Sequence, residues 1–191
     1  LGTGSYGANS MSHNISAMDL LNIKTVAKRR DNMQWIKVPT KTYFEHNAAN
    51  YLRHMPNVNR FFIVTDEGIA EQGFADEITD IISKRRGTKE YEVFKAVSLN
   101  PTTDIVKDGV HRMNIFKPDV IIAIGGGSVM DAAKAMRLFY ENPDMSFEDA
   151  YQKFLDIRKR VVRFPTSNDV QLVCIPTTSG TGSEVSPVAI I

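Results

Sequence analysis

Three consecutive glycines stand where an apolar, strand-like run gives way to a helical pattern. The run 119–124 precedes Gly125, Gly126 and Gly127, and Ser128 opens the helical pattern; we call these four residues the glycine turn. Glycine leaves main-chain N–H groups open to close approach, and a helix N-terminus carries partial positive charge. Because both features favour an anion, the bare turn predicts a diphosphate-binding site. A strand-to-helix crossover without a ligand is the alternative.

A second polar loop follows another apolar run. After the run 170–175, residues 177–183 contain five hydroxyl side chains and two glycines, and we call this segment the hydroxyl loop. Such a loop can donate many hydrogen bonds, which indicates a binding site for phosphate, ribose or a carboxamide. An ordinary polar loop is the alternative. The five hydroxyls belong to Thr177, Thr178, Ser179, Thr181 and Ser183.

Asp66 closes the apolar run 60–66, which is typical of a buried strand. A carboxylate at this place can accept hydrogen bonds from both hydroxyls of an adenine ribose and repels a 2′-phosphate, which predicts NAD over NADP. Capping of the next helix is the alternative. In the common dinucleotide fingerprint the acid follows the glycines by about 20 residues. Here it precedes Gly125 by 125 − 66 = 59 positions, so the order of the parts differs.

Strand-like runs alternate with helical patterns along the chain. Continuous apolar strands are typical of a sheet covered on both faces, so the pattern predicts an α/β fold with a parallel, Rossmann-like sheet. Ligands bind beyond the carboxyl ends of such strands. The glycine turn, the hydroxyl loop and Asp66 all fall at strand ends. The predicted strands are 35–38, 60–66, 91–97, 119–124 and 170–175, and the predicted helices are 46–55, 69–85, 105–113, 128–141 and 146–157.

Composition limits the class of partner. The chain has 191 residues, of which 23 are Lys or Arg and 22 are Asp or Glu, for a net charge of +1. This balance gives no electrostatic basis for a nucleic-acid partner, and no apolar run approaches the roughly 20 residues of a spanning helix. Cys174 is the only cysteine, which excludes an internal disulfide and a cysteine zinc cluster. We therefore expect no nucleic acid, no membrane and a cytoplasmic location, with Cys174 an inert core residue.

The two motifs together resemble a known family. "GGGSVMDAAK" at 125–134 and "PTTSGTGSEVSP" at 176–187 resemble the signatures of the iron-containing, group III alcohol dehydrogenases. "DLLNIKTVAKRRDNMQW" at 19–35 resembles the junction of the bifunctional aldehyde–alcohol dehydrogenases, and "LGTGSYGANS" at 1–10 resembles the end of their aldehyde dehydrogenase half. The resemblance runs along essentially the whole chain.

The resemblance implies a division of the chain. Residues 1–35 would be the end of the aldehyde dehydrogenase half with the interdomain linker, and 36–191 a truncated NAD-binding domain of the dehydroquinate synthase-like type. The helical metal-binding domain that follows in the family would be absent. Because the chain begins with Leu1 and ends in the apolar run "SPVAII" (186–191), we expect it to be a piece of a longer polypeptide.

The resemblance also assigns the cofactor site. Gly126, Gly127 and Ser128 would hold the NAD diphosphate. Asp66 would face the adenine ribose, and Asn100 would lie near the adenosine. Asp131 and Lys134 match the family motif; Asp131 is included in the site, although we expect the pair to support structure, since such i,i+3 pairs also stabilise helices. Lining the diphosphate and the nicotinamide would be Thr177, Thr178 and Thr181, with Ser186 nearby.

The implied reaction is hydride transfer between nicotinamide and an alcohol or aldehyde carbon, with Fe²⁺ polarising the substrate oxygen. In the bifunctional proteins the aldehyde half makes acetaldehyde from acetyl-CoA, and this half reduces it to ethanol. The family's metal ligands, one Asp and three His, would lie beyond residue 191, so we expect NAD binding without turnover from the chain alone. The histidines, each expected to be exposed and not a ligand, are His13, His46, His54 and His111.

Two other functions stay open at this point. One is another enzyme of the same architecture, such as a glycerol dehydrogenase or a dehydroquinate synthase. The other is an assembly role for residues 1–35, because the bifunctional relatives form homo-oligomers and filaments.

Overall fold

A computed structural model describes residues 39, 41–150, 169–186 and 188–191. All of these belong to one compact unit, residues 38–191. The predicted linker at 1–35, the predicted strand 35–38 and the later part of the predicted helix 146–157 lie outside the described residues. So does the predicted assembly role of residues 1–35.

The centre of the described unit is a four-stranded parallel sheet in the order β2-β1-β3-β4. The strands are β1 (Arg60–Asp66), β2 (Glu90–Val97), β3 (Val120–Gly125) and β4 (Gln171–Pro176). In the register, Ile63 of β1 pairs with Ile122 of β3, which pairs with Val173 of β4. Non-consecutive neighbours joined in parallel require crossover connections, and helices supply them. The predicted parallel α/β fold is confirmed.

Within the described residues, the helices with complete bounds that follow the strands are α1 (Glu67–Glu71), α2 (Phe74–Ser83), α3 (Thr103–Phe116) and α4 (Gly127–Glu141). The prediction of one helix over 69–85 is wrong, because the chain breaks at Gly73, whose φ of 87° lies in the left-handed region that glycine adopts without a Cβ clash. The segment predicted as a helix at 46–55 is a short 3-10 helix, Ala48–Arg53, preceded by Asn47 at φ 61°.

Two hydrophobic clusters lie on opposite faces of the sheet. Phe62 and Val64 of β1 belong to the cluster that includes residues of α3 and α4, whereas Phe61 and Ile63 belong to the cluster that includes α2. Both faces of β1 and β3 are therefore buried, which explains why these strands read as unbroken apolar runs rather than as alternating ones.

The helix α4 buries the face that its spacing predicts. Val129, Ala132, Ala133 and Met136 are at most 1% exposed, and Tyr140 packs against them while only half-buried. Ser146 and Asp149, at S-x-x-D spacing, cap the last described helical turn. The Ser146 amide donates to Asp149 Oδ2 and the Asp149 amide donates to Ser146 Oγ, each at 3.1 Å. Within the described ranges, no helix has the length and apolarity needed to cross a bilayer.

Candidate functional site

The glycine turn and the hydroxyl loop meet because β3 and β4 are parallel neighbours in register. Gly125 pairs with Pro176, so the two strands end side by side. Immediately beyond them, the Thr177 amide donates to the Gly125 carbonyl at 3.0 Å. Asp66 ends β1 on the other side of β3, where Thr65 pairs with Ile124. All three predicted segments therefore lie at one edge of the sheet.

The three glycines are bare for different reasons. A Cβ at Gly125 would lie 2.6 Å from Cγ2 of the buried Val129, so the first glycine is required by packing within the protein. A Cβ at Gly126 would lie 3.1 Å from Thr178 Oγ1, and one at Gly127 would lie 3.1 Å from Ser183 Oγ. The second and third glycines thus let the hydroxyl loop approach the glycine turn closely while its main-chain N–H groups stay uncovered. The packing role of Gly125 was not predicted from the sequence, where all three glycines were assigned to a ligand.

The N-terminus of α4 lies at the same turn. Gly126 is its N-cap residue, with φ −81° and ψ −170°, and no described side chain caps the helix. The first N–H groups of a helix have no partner within the helix, so they are available to an anion together with the positive end of its dipole. A fifteen-residue helix such as α4 carries this dipole in full.

Ser128 connects the turn to a third loop. Its hydroxyl donates to the Leu99 carbonyl, in the connection between β2 and α3. Asn100 follows Leu99 and is exposed, and its carbonyl accepts from Ser98 Oγ at 2.8 Å. The contact brings Asn100 close to the turn, while the Ser128 hydroxyl is occupied and its amide remains for a ligand. No sequence signal marked Leu99, because a leucine is ordinarily expected in the core, whereas here the residue is 90% exposed.

The hydroxyl loop presents its threonines to solvent. Thr177, Thr178 and Thr181 are exposed. Gly180 and Gly182, at φ 89° and 66°, adopt the left-handed conformation that lets the loop turn twice within a few residues.

Ser186 closes this loop and is half-buried. Its amide donates to the Gly182 carbonyl at 3.0 Å, and its hydroxyl accepts from the Val188 amide at 3.1 Å. These bonds use the Ser186 hydroxyl as an acceptor within the protein, so its hydrogen is the group that remains for a ligand.

Asp66 is the N-cap residue of α1. Its Oδ1 accepts from the Ile69 amide at 2.9 Å, which is the capping role that the sequence left as the alternative. Its Oδ2 makes no hydrogen bond with any residue that the structure describes. One carboxylate oxygen of Asp66 therefore caps α1, and the other is available to a ligand at the carboxyl edge of the sheet.

Asp131 and Lys134 lie deeper, on the buried side of α4. Asp131 is 7% exposed, and its Oδ1 is 2.7 Å from Lys134 Nζ. The pair holds backbone groups of the segment 186–190, which agrees with the structural role expected for it. The sequence analysis did not single out Val188 or Ile190 as its partners.

Cys174 lies in β4, half-buried against the core cluster that α3 and α4 share. Burial raises the pKa of its thiol, although the nearby Lys134 opposes the shift. The thiolate is the reactive form. We expect iodoacetamide at pH 8 to alkylate Cys174 at least roughly tenfold more slowly in the folded protein than in urea. Mass spectrometry of quenched time points measures this, and equal rates would show an accessible, ionised thiol.

Iron ligands are a separate matter. Across residues 41–150 and 169–186, no group of three or more His, Cys, Asp or Glu side chains is placed to hold a metal ion. His46, His54 and His111 are exposed. The described residues therefore do not fit an iron site.

The site as a whole combines a positive helix end, open main-chain amides and hydroxyl donors, which is an arrangement suited to a diphosphate. The structure brings together Gly126, Gly127, Ser128, Thr177, Thr178 and Thr181, with Asn100 and Asp66 at the border and Asp131 and Ser186 behind.

Comparison with known proteins places this geometry in a family. The sequence model of "Iron-containing alcohol dehydrogenase" matches residues 39–191. The aldehyde-alcohol dehydrogenase of Streptococcus pneumoniae serotype 4 is 52% identical over 192 residues, covering the whole chain and 22% of that protein. The bifunctional aldehyde-alcohol dehydrogenase of Escherichia coli K12 is 46% identical over 195 residues, with the same coverage. The chain thus spans about a fifth of these relatives.

A solved structure agrees with the fold. The iron-containing alcohol dehydrogenase of Thermotoga maritima is 30% identical, with a TM-score of 0.63 over 81% of this chain and 41% of that one. The resemblance drawn from the two motifs is therefore confirmed. With the family model matched along 39–191 and the Rossmann-like sheet shared, the chain belongs to the iron-containing alcohol dehydrogenase family.

Proposed function

We propose that residues 36–191 form the NAD-binding domain of an alcohol dehydrogenase. The observation that carries the proposal is the close approach of the hydroxyl loop to the N-terminus of α4, where a Cβ at Gly126 or Gly127 would come within 3.1 Å of a hydroxyl oxygen. Glycine at both positions leaves the main-chain N–H groups at the helix end uncovered beside these hydroxyls, as contact with a diphosphate requires. Family membership supports a dehydrogenase as the protein that uses it.

The cofactor would lie across the carboxyl edge of the sheet. Its diphosphate would bind the amides of Gly126 and Gly127 at the positive end of α4. Thr177, Thr178 and Thr181 would donate hydroxyls to the diphosphate and the nicotinamide side. On the β1 side, Asn100 and Asp66 would bind the adenosine. When bound, the nicotinamide supplies the hydride acceptor or donor; the chain binds it, orients it and keeps the diphosphate charge compensated.

The finer assignment rests on the relatives. Proteins 46–52% identical to the whole chain are named aldehyde-alcohol dehydrogenases, so we assign reduction of acetaldehyde to ethanol, with acetyl-CoA as the source of acetaldehyde in a bifunctional protein. Fe²⁺ would be held by residues outside this chain, so the chain alone would bind NAD without turnover. The full protein would form a homo-oligomer or filament through its linker region. A single cysteine supports a cytoplasmic location.

Titration calorimetry with NAD and NADP tests this function. We expect NAD to bind more tightly than NADP. The Asp66→Asn variant should lower the ratio of the two affinities by roughly fivefold, mainly through better NADP binding, because an exposed charge repulsion of about 1 kcal/mol is removed. An asparagine oxygen still caps α1, so the fold is retained.

The matched control is Asp76→Asn, an exposed acid in the first turn of α2 whose loss should leave the ratio unchanged. Equal affinity of the wild-type protein for the two cofactors would remove the role of Asp66. Binding of neither would overturn the proposed function itself.

A further inference from the structure

We propose that Asp131 and Lys134 position the hydroxyl loop for the cofactor without touching it. The inference rests on the proposed NAD site and assigns the pair a positioning role in it. Both residues lie on α4, four and seven positions beyond Gly127, and their contacts run to the chain segment that follows the hydroxyl loop.

The pair holds three backbone groups within five residues. Lys134 Nζ lies 2.7 Å from Asp131 Oδ1, donates to the Ser186 carbonyl at 3.2 Å and also donates to the Val188 carbonyl. Asp131 Oδ2 accepts from the Ile190 amide at 3.1 Å. Lys134 Nζ therefore has one ion-pair partner and two carbonyl acceptors, as many partners as an ammonium group has N–H donors.

Burial makes these contacts demanding. The side chains of Lys134 and Asp131 are only 13% and 10% exposed. A charge removed from water is tolerated when it is paired and its remaining hydrogen-bonding groups are satisfied. The two buried charges therefore depend on each other and on their contacts with the backbone of Ser186, Val188 and Ile190. The same burial, with both carboxylate oxygens engaged, leaves Asp131 without an oxygen for direct contact with a cofactor.

The pair thereby fixes the far end of the hydroxyl loop. The near end is held by the Thr177 amide on the Gly125 carbonyl at 3.0 Å. At the far end, the Ser186 carbonyl is bound by Lys134 while the Ser186 amide donates to Gly182 at 3.0 Å. Between these anchors, the loop contains two left-handed glycines and would otherwise be free to move. The distance between Gly127 and Ser183 is therefore set from α4.

The test uses the full chain, with Lys134→Met as the principal variant and NAD as the probe. We expect NAD affinity to fall at least about tenfold, equivalent to ~1.4 kcal/mol, and amide hydrogen exchange of residues 181–190 to accelerate. Lys134→Arg keeps the charge and the donors and should stay within about threefold of the wild-type affinity. This rescue is not expected of a residue that acts by volume alone.

The control is an exposed ion pair of the same spacing, Asp104 and Lys107 on α3. Their side chains are 89% and 63% exposed, and Lys107 Nζ lies 3.5 Å from Asp104 Oδ1. Lys107→Met should change neither affinity nor exchange at 181–190. If Lys134→Met does not fold, Ile190→Pro removes the N–H that donates to Asp131, along with an exposed side chain, and should shift both readouts in the same direction; Ile190→Ala, which keeps the N–H, is its control.

Each outcome decides a separate question. Unchanged exchange at 181–190, or faster exchange with unchanged NAD affinity, would overturn the positioning role. A wild-type protein that does not bind NAD would overturn the proposed function, while the exchange data would still report whether the pair holds the loop.

Discussion

The Gly127→Val substitution is expected to abolish NAD binding, with a loss of affinity of at least ~100-fold, equivalent to about 2.7 kcal/mol. A Cβ at this position would already lie 3.1 Å from Ser183 Oγ and 3.4 Å from Thr181 Cβ. The two further methyl groups of valine would cover the main-chain N–H groups that would bind the diphosphate. They would also push the hydroxyl loop away from the N-terminus of α4.

The fold should tolerate this change. Gly127 is the first residue of α4 and is only partly buried, so valine meets a loop that can yield rather than a packed core. We expect overpacking to cost about 1 kcal/mol and to lower Tm by roughly 2–4 °C. Calorimetry gives the affinity and thermal unfolding gives the stability. Gly127→Ala should lie between valine and the wild type in affinity.

Thr103→Val is the matched control, because it places the same side chain at the exposed first position of α3. It should leave NAD affinity unchanged. Retention of near wild-type affinity by Gly127→Val would mean that the cofactor does not lie against this turn, and the proposed site would then be wrong.

The sequence predicted the sheet well because burial dictates it. β1 and β3 are covered on both faces, so each has an unbroken apolar centre, residues 61–64 and 120–124, and the strand bounds were predicted within one residue. The helical break at Gly73 was missed, because apolar spacing continues across it and only the backbone angle of 87° separates α1 from α2. A periodic pattern does not reveal where one helix stops and the next begins.

The site was predicted in part for a related reason. Residue types at strand ends pointed to the glycine turn and the hydroxyl loop, and parallel pairing made their meeting a geometric consequence. Contacts between distant segments gave no such signal. The binding of Ile190 by Asp131 spans 59 positions, and that of Leu99 by Ser128 spans 29. Neither partner contributes a side-chain type that would mark it, since both act through the main chain.

The roles of Gly125 and Gly127 can be separated by experiment, because substitution at Gly125 should lower stability, whereas substitution at Gly127 should lower NAD affinity. At Gly125 a Cβ would lie 2.6 Å from Val129 Cγ2 and 2.8 Å from Val129 Cβ. Val129 is 1% exposed and β-branched, so it has little freedom to move aside. We expect Gly125→Ala to destabilise the fold by about 3 kcal/mol and to lower Tm by roughly 6–12 °C.

A mutant cycle identifies the cause. Val129→Ala alone should lower the free energy of unfolding by about 1.6 kcal/mol, because two buried methyl groups are lost. The double variant should be at least ~1 kcal/mol more stable than the sum of the two single losses predicts, because the clash is relieved. Gly73→Ala, at φ 87° with nothing within 4 Å, measures backbone strain without a clash and should cost only about 1–2 kcal/mol. Strictly additive stability losses in the cycle would show that a clash with Val129 is not the cause. Coupled stability losses would identify the clash with Val129 as the cause. If Gly125→Ala also leaves NAD affinity nearly unchanged at a temperature where the variant is folded, Gly125 is required by the core and Gly127 by the ligand.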